Sequence, residues 1–222
     1  MSDMQPLRIE WRLATPWCPP ARGFHLDGLI ALAMIEQATD DGVPHDAHAA
    51  LLDELPFARH ETPSGWVWKA SMIRADGVHG SERRYMTTKT AVEEFGLRMA
   101  NGSILGKPLA TIDTVRGPYK QDAFWYTVEH ADRCVAYAIG DPERLVPLLE
   151  RVTHLGKRSR LDHGRIAPVD GLMATVTTDD AALDRWALRN MPEQVNGHVP
   201  VVGRLRPPYW RGEAETMVWR PA

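Results

Sequence analysis

The chain has 222 residues, and its 26 basic residues against 29 acidic ones give a formal net charge of −3. This balance excludes a protein that coats nucleic acid by bulk attraction, so nucleic-acid binding would have to come from local basic patches. The two cysteines, Cys18 and Cys134, match no metal-ligand spacing, so we expect no disulfide, metal or cofactor. The longest apolar run, residues 29–35, is shorter than the about 20 residues of a bilayer crossing, and no signal-like segment precedes it. The sequence therefore predicts a cytoplasmic protein with no membrane partner.

The first third of the chain predicts a strand, a helix and a second strand. Residues 7–14 alternate apolar and polar side chains, the period of a half-buried strand. Asp27 is a good helix N-cap, and the apolar stripe after it predicts a helix that packs on a sheet. Residues 66–75 predict the second strand, with Trp66 and Trp68 as core or sheet-face residues.

The middle of the chain predicts an insertion and then a hairpin. Residues 76–121 lack the sustained apolar pattern of a second core, and they are rich in basic side chains. Those side chains are Arg83, Arg84, Lys89, Arg98, Lys107, Arg116 and Lys120. Residues 124–129 and 133–139 then predict two paired strands. The second is apolar on both faces, so we expect it at the centre of the sheet.

The last third predicts a second helix and a further strand. Asp141 caps a helix start and Pro142 fits its first turn, while Pro147 predicts that the helix starts or kinks there. Residues 165–176 follow as a strand. The order strand, helix, strand, insertion, strand, helix, strand predicts an α+β, ferredoxin-like (RRM-type) fold. We expect a single domain over residues 1–222, extended at its C-terminus by residues 177–222.

The most informative segment is a basic loop between the second helix and the last strand. It is bounded by two glycines and holds four basic side chains, two histidines and only one acid, Asp162. Its members are His154, Gly156, Lys157, Arg158, Arg160, His163, Gly164 and Arg165. Such a loop can lay backbone N–H groups and guanidinium forks along a sugar-phosphate chain. A solvated basic turn is the alternative on spacing alone.

The loop resembles the C-terminal glycine-rich loop of RAMP proteins, the RRM-fold subunits of CRISPR systems. Gly-Lys-Arg at 156–158 and Gly-Arg-Ile at 164–166 match that loop, while Asp162 and His163 stand where the family often has glycine and an aromatic residue. Two further segments, Phe-His-Leu-Asp-Gly-Leu-Ile-Ala at 24–31 and Arg-Pro-Pro-Tyr-Trp at 206–210, resemble the Cas-five-type subunit of type IV CRISPR effectors.

This resemblance implies an RNA-binding subunit of an antiviral ribonucleoprotein. In the family, the Cas-five-type subunit ends a filament of Cas-seven-type backbone proteins beside a large subunit, and it grips the five-prime handle of the guide RNA (crRNA). The resemblance also implies a basic thumb-like insertion at residues 76–121, and it leaves open a contact with target DNA. The predicted RNA-binding residues are the eight loop members above, Arg83, Arg84 and Lys89 in the insertion, and His25, Tyr209 and Trp210.

Several of these side chains have other interpretations. His25 could be a general base for RNA cleavage, although a histidine before a helix is more often a capping or packing residue. His154 and His163 could form an acid/base pair with Tyr137 or Lys157, but RNA contact is the favoured role. Tyr209 could stack with Trp210 on bases, or the pair could anchor the C-terminal segment on the core.

The sequence thus predicts a non-catalytic binding subunit, with no catalytic or metal-binding residue assigned. No P-loop, GxSxG or HExxH motif is present. The main rival is a metal-independent endoribonuclease that processes the guide RNA precursor. A ferredoxin-like assembly protein without RNA is the third alternative.

Overall fold

The computed structural model describes residues 3–87, 96–98, 100, 115, 122–209 and 215–222. The chain forms two compact units, one of Met1–Ser81 and Glu129–Ala222, the other of Glu82–Val128. The helices and strands are, in chain order, β1 (Gln5–Arg12), α1 (Leu26–Asp40), α2 (His48–Leu51), β2 (Arg59–Thr62), β3 (Gly65–Trp68), β4 (Arg74–Thr87), β5 (Ala123–Gly140), α3 (Pro142–Leu149), β6 (Thr175–Thr178), α4 (Ala182–Arg185), β7 (His198–Gly203) and β8 (Thr216–Pro221).

A four-stranded sheet with the order β4-β5-β1-β6 organises the fold. Strand β1 is antiparallel to both β5 and β6, and Ile9 stands opposite Ala136 on one side and Val176 on the other. The alternating residues Leu7, Ile9 and Trp11 are fully buried, as the period-2 pattern predicts. The α+β class is confirmed, and so is the expected central position of the apolar strand, which lies in β5 between β4 and β1.

One hydrophobic core joins this sheet to the two longest described helices. Apolar side chains from α1, α3, β1 and β5 form a single cluster. Helix α3 begins as predicted, because the Asp141 carboxylate accepts hydrogen bonds from the Glu143 and Arg144 amides at 3.0 and 3.4 Å. It starts at Pro142 and continues through Pro147, so the predicted start at Pro147 is wrong. The Pro147 ring lies only five residues into the helix, where few backbone bonds precede it.

The start of α1 differs from the prediction. His25 occupies the N-cap with an extended backbone, and the helix begins at Leu26. Asp27 is therefore in the first turn, and the prediction that it caps the helix is wrong. The physical reason is that its carboxylate is taken by a buried arginine, Arg189, at 3.0 Å.

Two predicted strands are placed differently in the structure. Residues 65–68 form β3, which pairs with β2 in a separate hairpin, and the second strand of the main sheet is instead β4. Strand β4 extends to Thr87, well inside the predicted insertion. The sequence did not predict this strand because its largely exposed side chains show no apolar alternation. Residues 165–174 form only isolated pairings, of Arg165 with His154, Ile166 with Leu13 and Val169 with Leu172, and only Thr175–Thr178 forms β6.

The predicted hairpin at residues 124–139 is a single strand, β5. The turn expected around residues 130–132 does not form, because the Leu13 amide donates to the Asp132 carbonyl at 2.9 Å and Trp17 pairs with Glu129. These contacts with the segment after β1 hold the backbone extended where the polar residues alone predict a turn.

The C-terminal extension forms a β7–β8 hairpin on a small core of its own. Val67 of β3, Trp186 and Met191 are buried there, with Trp219 of β8 packed against them. Among the residues that the structure describes, no helix has both the length and the apolar character of a membrane span.

Candidate functional site

A fully buried arginine, Arg189, joins α1 to the C-terminal segment. Its guanidinium donates to the Asp27 carboxylate at 3.0 Å, to the Tyr209 hydroxyl at 2.9 Å and to four backbone carbonyls. These carbonyls belong to Trp68, Ala70, Asn190 and Leu205. A buried charge is tolerated when it is paired and its hydrogen bonds are satisfied, and both conditions hold here.

The two segments that resemble the Cas-five-type subunit meet at this arginine. The Tyr209 hydroxyl donates to Asp27 at 3.0 Å, and the Tyr209 ring stacks on His25 with 4.5 Å between centroids and 11° between planes. A Cβ atom on Gly28 would lie 2.8 Å from the Tyr209 ring, so this position requires glycine for the ring to pass. The motif at 24–31 therefore forms the surface on which Tyr209 of the motif at 206–210 packs.

Burial and the neighbouring charges fix the protonation states in this cluster. Burial, then Arg189 and Arg220, hold the pKa of His25 well below its ordinary value, so the imidazole is neutral at pH 7. Burial also raises the pKa of Tyr209. Burial opposes the charge of Arg189, but Asp27 and Tyr209 outweigh it and raise the pKa of the guanidinium. The cluster thus holds an ion pair, a neutral phenol and a neutral imidazole.

The predicted basic loop has a tightly specified backbone. Gly156 and Gly164 have φ of +81° and +69°, and an added Cβ would lie 2.6 Å from the Cys18 carbonyl oxygen and 2.0 Å from the Leu155 carbonyl oxygen, respectively. Arg158 and Asp162 also have left-handed backbones on either side of a short 3-10 turn. Non-glycine residues hold this conformation only when the surrounding structure determines it.

The loop is fastened to the segment that follows β1. The Lys157 amide donates to the Cys18 carbonyl at 2.8 Å, and the Gly164 amide donates to the Pro16 carbonyl at 2.9 Å. The Thr15 hydroxyl donates to the Asp162 carbonyl at 2.5 Å and accepts from the Arg165 amide at 2.9 Å. Main-chain bonds and the Thr15 hydroxyl therefore hold the loop.

The charged side chains of the loop point to solvent. Lys157, Arg158, Arg160 and Arg165 are all exposed. Asp162, the single acid, lies 3.2 Å from the Arg165 guanidinium. The loop surface consequently keeps a net positive charge.

The two predicted histidines of the loop have different environments. His154 is partly exposed, with its ring nitrogens 3.0 Å from the Thr153 hydroxyl and 3.4 Å from the Asp162 carboxylate. His163 is 2% exposed, and its Nδ1 lies 3.3 Å from the Pro16 carbonyl. The structure therefore places His154 at the loop surface and His163 beneath it.

A groove of about 490 Å³ lies in the first unit beside this loop. Its walls come from α1, from the segment that follows α3 and from the C-terminal hairpin. Four of the predicted residues line it: His25, His154, Gly156 and Tyr209. The structure thus brings three sequence motifs, at residues 24–31, 154–165 and 206–210, to one surface.

Sequence reasoning missed the arginines around this groove. Arg22, Arg151 and Arg220 line it, and Arg189 lies beneath it. Arg22 pairs with Glu215 at 2.7 Å and Arg151 pairs with Asp40. Isolated arginines carry no spacing signal, and only the apolar neighbours of Arg189 in the sequence could have indicated its burial.

The second unit holds two other predicted residues, Arg83 and Arg84. The Arg83 guanidinium lies 5.4 Å from the centre of the Trp125 ring, and Trp125 contacts Tyr85 at 4.9 Å. Arg84 pairs with Glu82. Tyr85 and Trp125 are more than half exposed, so this unit presents an aromatic pair with a cation beside it.

Lys89 and Trp210 lie outside the described residues. The same holds for three further basic residues of the insertion, Lys107, Arg116 and Lys120.

Comparison with known protein families shows that the chain is a CRISPR type IV associated protein, since the model of such a family matches residues 5–221. The family is Csf3, and the chain belongs to it. Csf3 is the Cas5-like subunit of type IV systems, so the predicted family is confirmed. No curated protein matches the chain.

Proposed function

We propose that this protein is the RNA-binding subunit of a type IV CRISPR ribonucleoprotein, and that it grips the five-prime handle of the guide RNA. The observation that carries the proposal is the basic loop at residues 156–165. Its backbone is fastened by main-chain bonds, while its cationic side chains stay exposed. Exposed cations such as Lys157 and Arg160 can contact a polyanion.

The loop suits RNA of any sequence better than a particular base order. Phosphate contacts position a nucleic acid, and three or four cations near one another supply salt-dependent affinity. In a guide-based complex, base pairing reads the target, so the protein needs only to hold the guide by its backbone. A net charge of −3 does not conflict with this role, because the positive charge is local.

The fold assignment belongs to the same proposal. The chain order β1, α1, β4, β5, α3, β6 with the sheet order β4-β5-β1-β6 is what a ferredoxin-like, RAMP-type domain requires. In that arrangement the basic loop follows the second helix, as in the glycine-rich loop of the RAMP proteins. The extended β4 and β5 would carry the thumb-like insertion.

The partners follow from this role. The subunit would cap a filament of Cas-seven-type proteins beside a large subunit in the cytoplasm, and the complex would recognise target DNA. The exposed Tyr85 and Trp125, with Arg83 beside them, suit contact with nucleic-acid bases by stacking.

We also propose that the protein binds guide RNA without cleaving it. The residue named as a possible general base, His25, is buried and stacked on Tyr209, and its lowered pKa makes it a weak acceptor of a proton. Incubation of the purified protein with repeat RNA, with and without divalent metal, should leave the RNA intact. Site-defined cleavage that is lost in His25→Ala would establish the endoribonuclease instead.

The binding test uses a charge-reversed loop. A variant with Lys157→Glu, Arg158→Glu and Arg160→Glu should lose at least 10-fold in affinity for a synthetic RNA that carries the repeat-derived handle. The matched control reverses three exposed arginines elsewhere, Arg59, Arg74 and Arg144, with the same change in net charge. Equal losses in the two variants would show that only net charge matters, and the loop assignment would then be wrong.

A further inference from the structure

The groove beside the loop contains a buried polar side chain that the proposed backbone grip does not use. His25 lines the groove and is 5% exposed, yet within the described residues neither of its ring nitrogens has a hydrogen-bond partner. Buried polar atoms in folded proteins are nearly always paired, so an unpaired one at a cavity wall points to a ligand.

The His25 ring is held in one orientation. It stacks on Tyr209, and the Tyr209 hydroxyl is fixed in turn by Asp27 and Arg189. A neutral imidazole offers one N–H donor and one acceptor. The two nitrogens point away from each other, so one of them at a time can pair with a donor or an acceptor on the edge of a nucleobase.

The rest of the groove suits a flat ring with an anionic group. Leu29, Leu32 and Ala33 give it an apolar wall along α1. A volume of about 490 Å³ lies within the roughly 300–1,000 Å³ of small-ligand sites, which is room for one nucleotide but not for a duplex.

The cation best placed for a phosphate is Arg220. It lines the groove and donates to the Asn190 side-chain oxygen at 3.2 Å, and it has no carboxylate partner among the described residues. Partial burial, then the charge of Arg22, lower the pKa of its guanidinium, as expected for a cation that lacks a counterion. The two acids of the groove, Glu36 and Glu215, oppose a longer polyanion, and Glu215 is paired with Arg22.

We propose that this groove holds a single unpaired nucleotide of the guide RNA, with its base read by His25 and its phosphate bound by Arg220. The inference rests on the proposed function, because His154, Gly156 and Ser159 make the basic loop one wall of the groove. A strand gripped by the loop therefore passes the groove mouth. One base turned out of the strand would enter between α1 and the hairpin.

The test combines abasic RNA with a variant that keeps the ring. A series of synthetic handle RNAs, each with one abasic position, is titrated against the wild-type protein, and one position should weaken binding at least 10-fold. His25→Phe preserves the stack on Tyr209 but removes both nitrogens. For this variant the intact RNA should bind more weakly, and the abasic substitution at that position should have at most a two-fold effect.

A second variant guards against a folding artefact. Leu32→Glu changes a side chain that is 44% exposed on the apolar wall, and it should remove the effect of the same abasic position. Abasic sensitivity that is absent from every position, or that persists unchanged in both variants, would overturn the groove assignment. The charge-reversed loop should instead weaken all RNAs of the series alike, so failure of the loop and failure of the groove are separate results.

Discussion

Two charged regions of the first unit differ in the burial of their basic side chains. Arg189 is 0% exposed, and its guanidinium donates hydrogen bonds to Asp27, Tyr209 and backbone carbonyls. Lys157 and Arg160 are exposed on a loop whose shape is set by main-chain bonds and glycines. Charge therefore stabilises the fold around Arg189, whereas the charges of the loop are exposed to a ligand. Substitutions in the first should therefore cost stability, and substitutions in the second should cost binding.

The largest loss of stability is expected from Arg189→Met. It leaves the Asp27 carboxylate buried without its cation, which typically costs about 3–5 kcal/mol in the free energy of unfolding. Chemical denaturation measures the change. Arg185→Met, at an exposed arginine that donates to the Tyr137 hydroxyl, is the control and should cost less than about 1 kcal/mol.

The double variant Arg189→Met with Asp27→Asn sharpens this prediction. Removing both charges avoids an unpaired buried ion, so the double variant should be more stable than Arg189→Met alone. A double variant that is less stable by the full sum of both single changes would mean that the ion pair is not the reason for the loss.

The next largest effect is expected from Gly164→Ala in the loop. The new Cβ would meet the Leu155 carbonyl oxygen at 2.0 Å on a backbone with φ of +69°, so strain and overpacking together should cost about 3 kcal/mol or more. Gly171→Ala is a matched control, with φ of +85° but no atom within 4 Å, and should cost about 1 kcal/mol. Equal costs would show that the loop backbone yields, against our description of it as fixed.

A smaller effect is expected from the pH dependence of His25. The folded state keeps this ring neutral, while the unfolded chain binds a proton below the ordinary value of 6.5. The free energy of unfolding should therefore fall as the pH drops below about 6.5, by up to about 1.4 kcal/mol per pH unit. His25→Phe removes this share, so its stability should fall less steeply between pH 6.5 and 5.

The control for the pH experiment is His45→Phe, at an exposed histidine outside the cluster. It should keep the wild-type pH slope, since Asp27, Arg189 and Arg220 remain around His25. If His25→Phe and the wild type lose stability in parallel on acidification, His25 is protonated in the folded protein and its assignment as a neutral group fails.

The smallest effect on stability is expected from the charge-reversed loop. Replacing Lys157, Arg158 and Arg160 by glutamate removes exposed charges, and such charges contribute little to folding, so the free energy of unfolding should change by less than about 0.5 kcal/mol. Thermal or chemical denaturation of the same preparation used for RNA binding checks this. A large loss of stability would erase the contrast between the two regions.

The sequence predicted the basic loop but not the cluster around the buried Arg189. A cluster of basic residues between glycines can be recognised in the amino-acid sequence, so the loop and its position after the second helix could be predicted. Asp27 was also found, but as a helix cap, because the N-cap rule does not reveal a partner 162 residues away, such as Arg189. For Tyr209, the sequence left base stacking and anchoring of the C-terminal segment as alternatives. Long-range pairing of single residues leaves no local pattern.

Strand boundaries show the same limit. Strand β1 follows its alternation of apolar residues closely, since one face of it is buried. Strand β4 was missed because most of its side chains are exposed, and β5 was divided in two because a polar stretch suggested a turn. In both strands the hydrogen bonds of the neighbouring chain segments override the local pattern.

The most direct test of the central claim is the salt dependence of handle RNA binding. For single strands, the logarithm of the affinity falls with the logarithm of salt concentration by about 0.7 for each phosphate that is neutralised. The charge-reversed loop should lower this slope by about 2, corresponding to three lost contacts, while reversal of Arg59, Arg74 and Arg144 should leave it near the wild-type value. An unchanged slope in the loop variant would contradict the claim that this loop grips the RNA backbone.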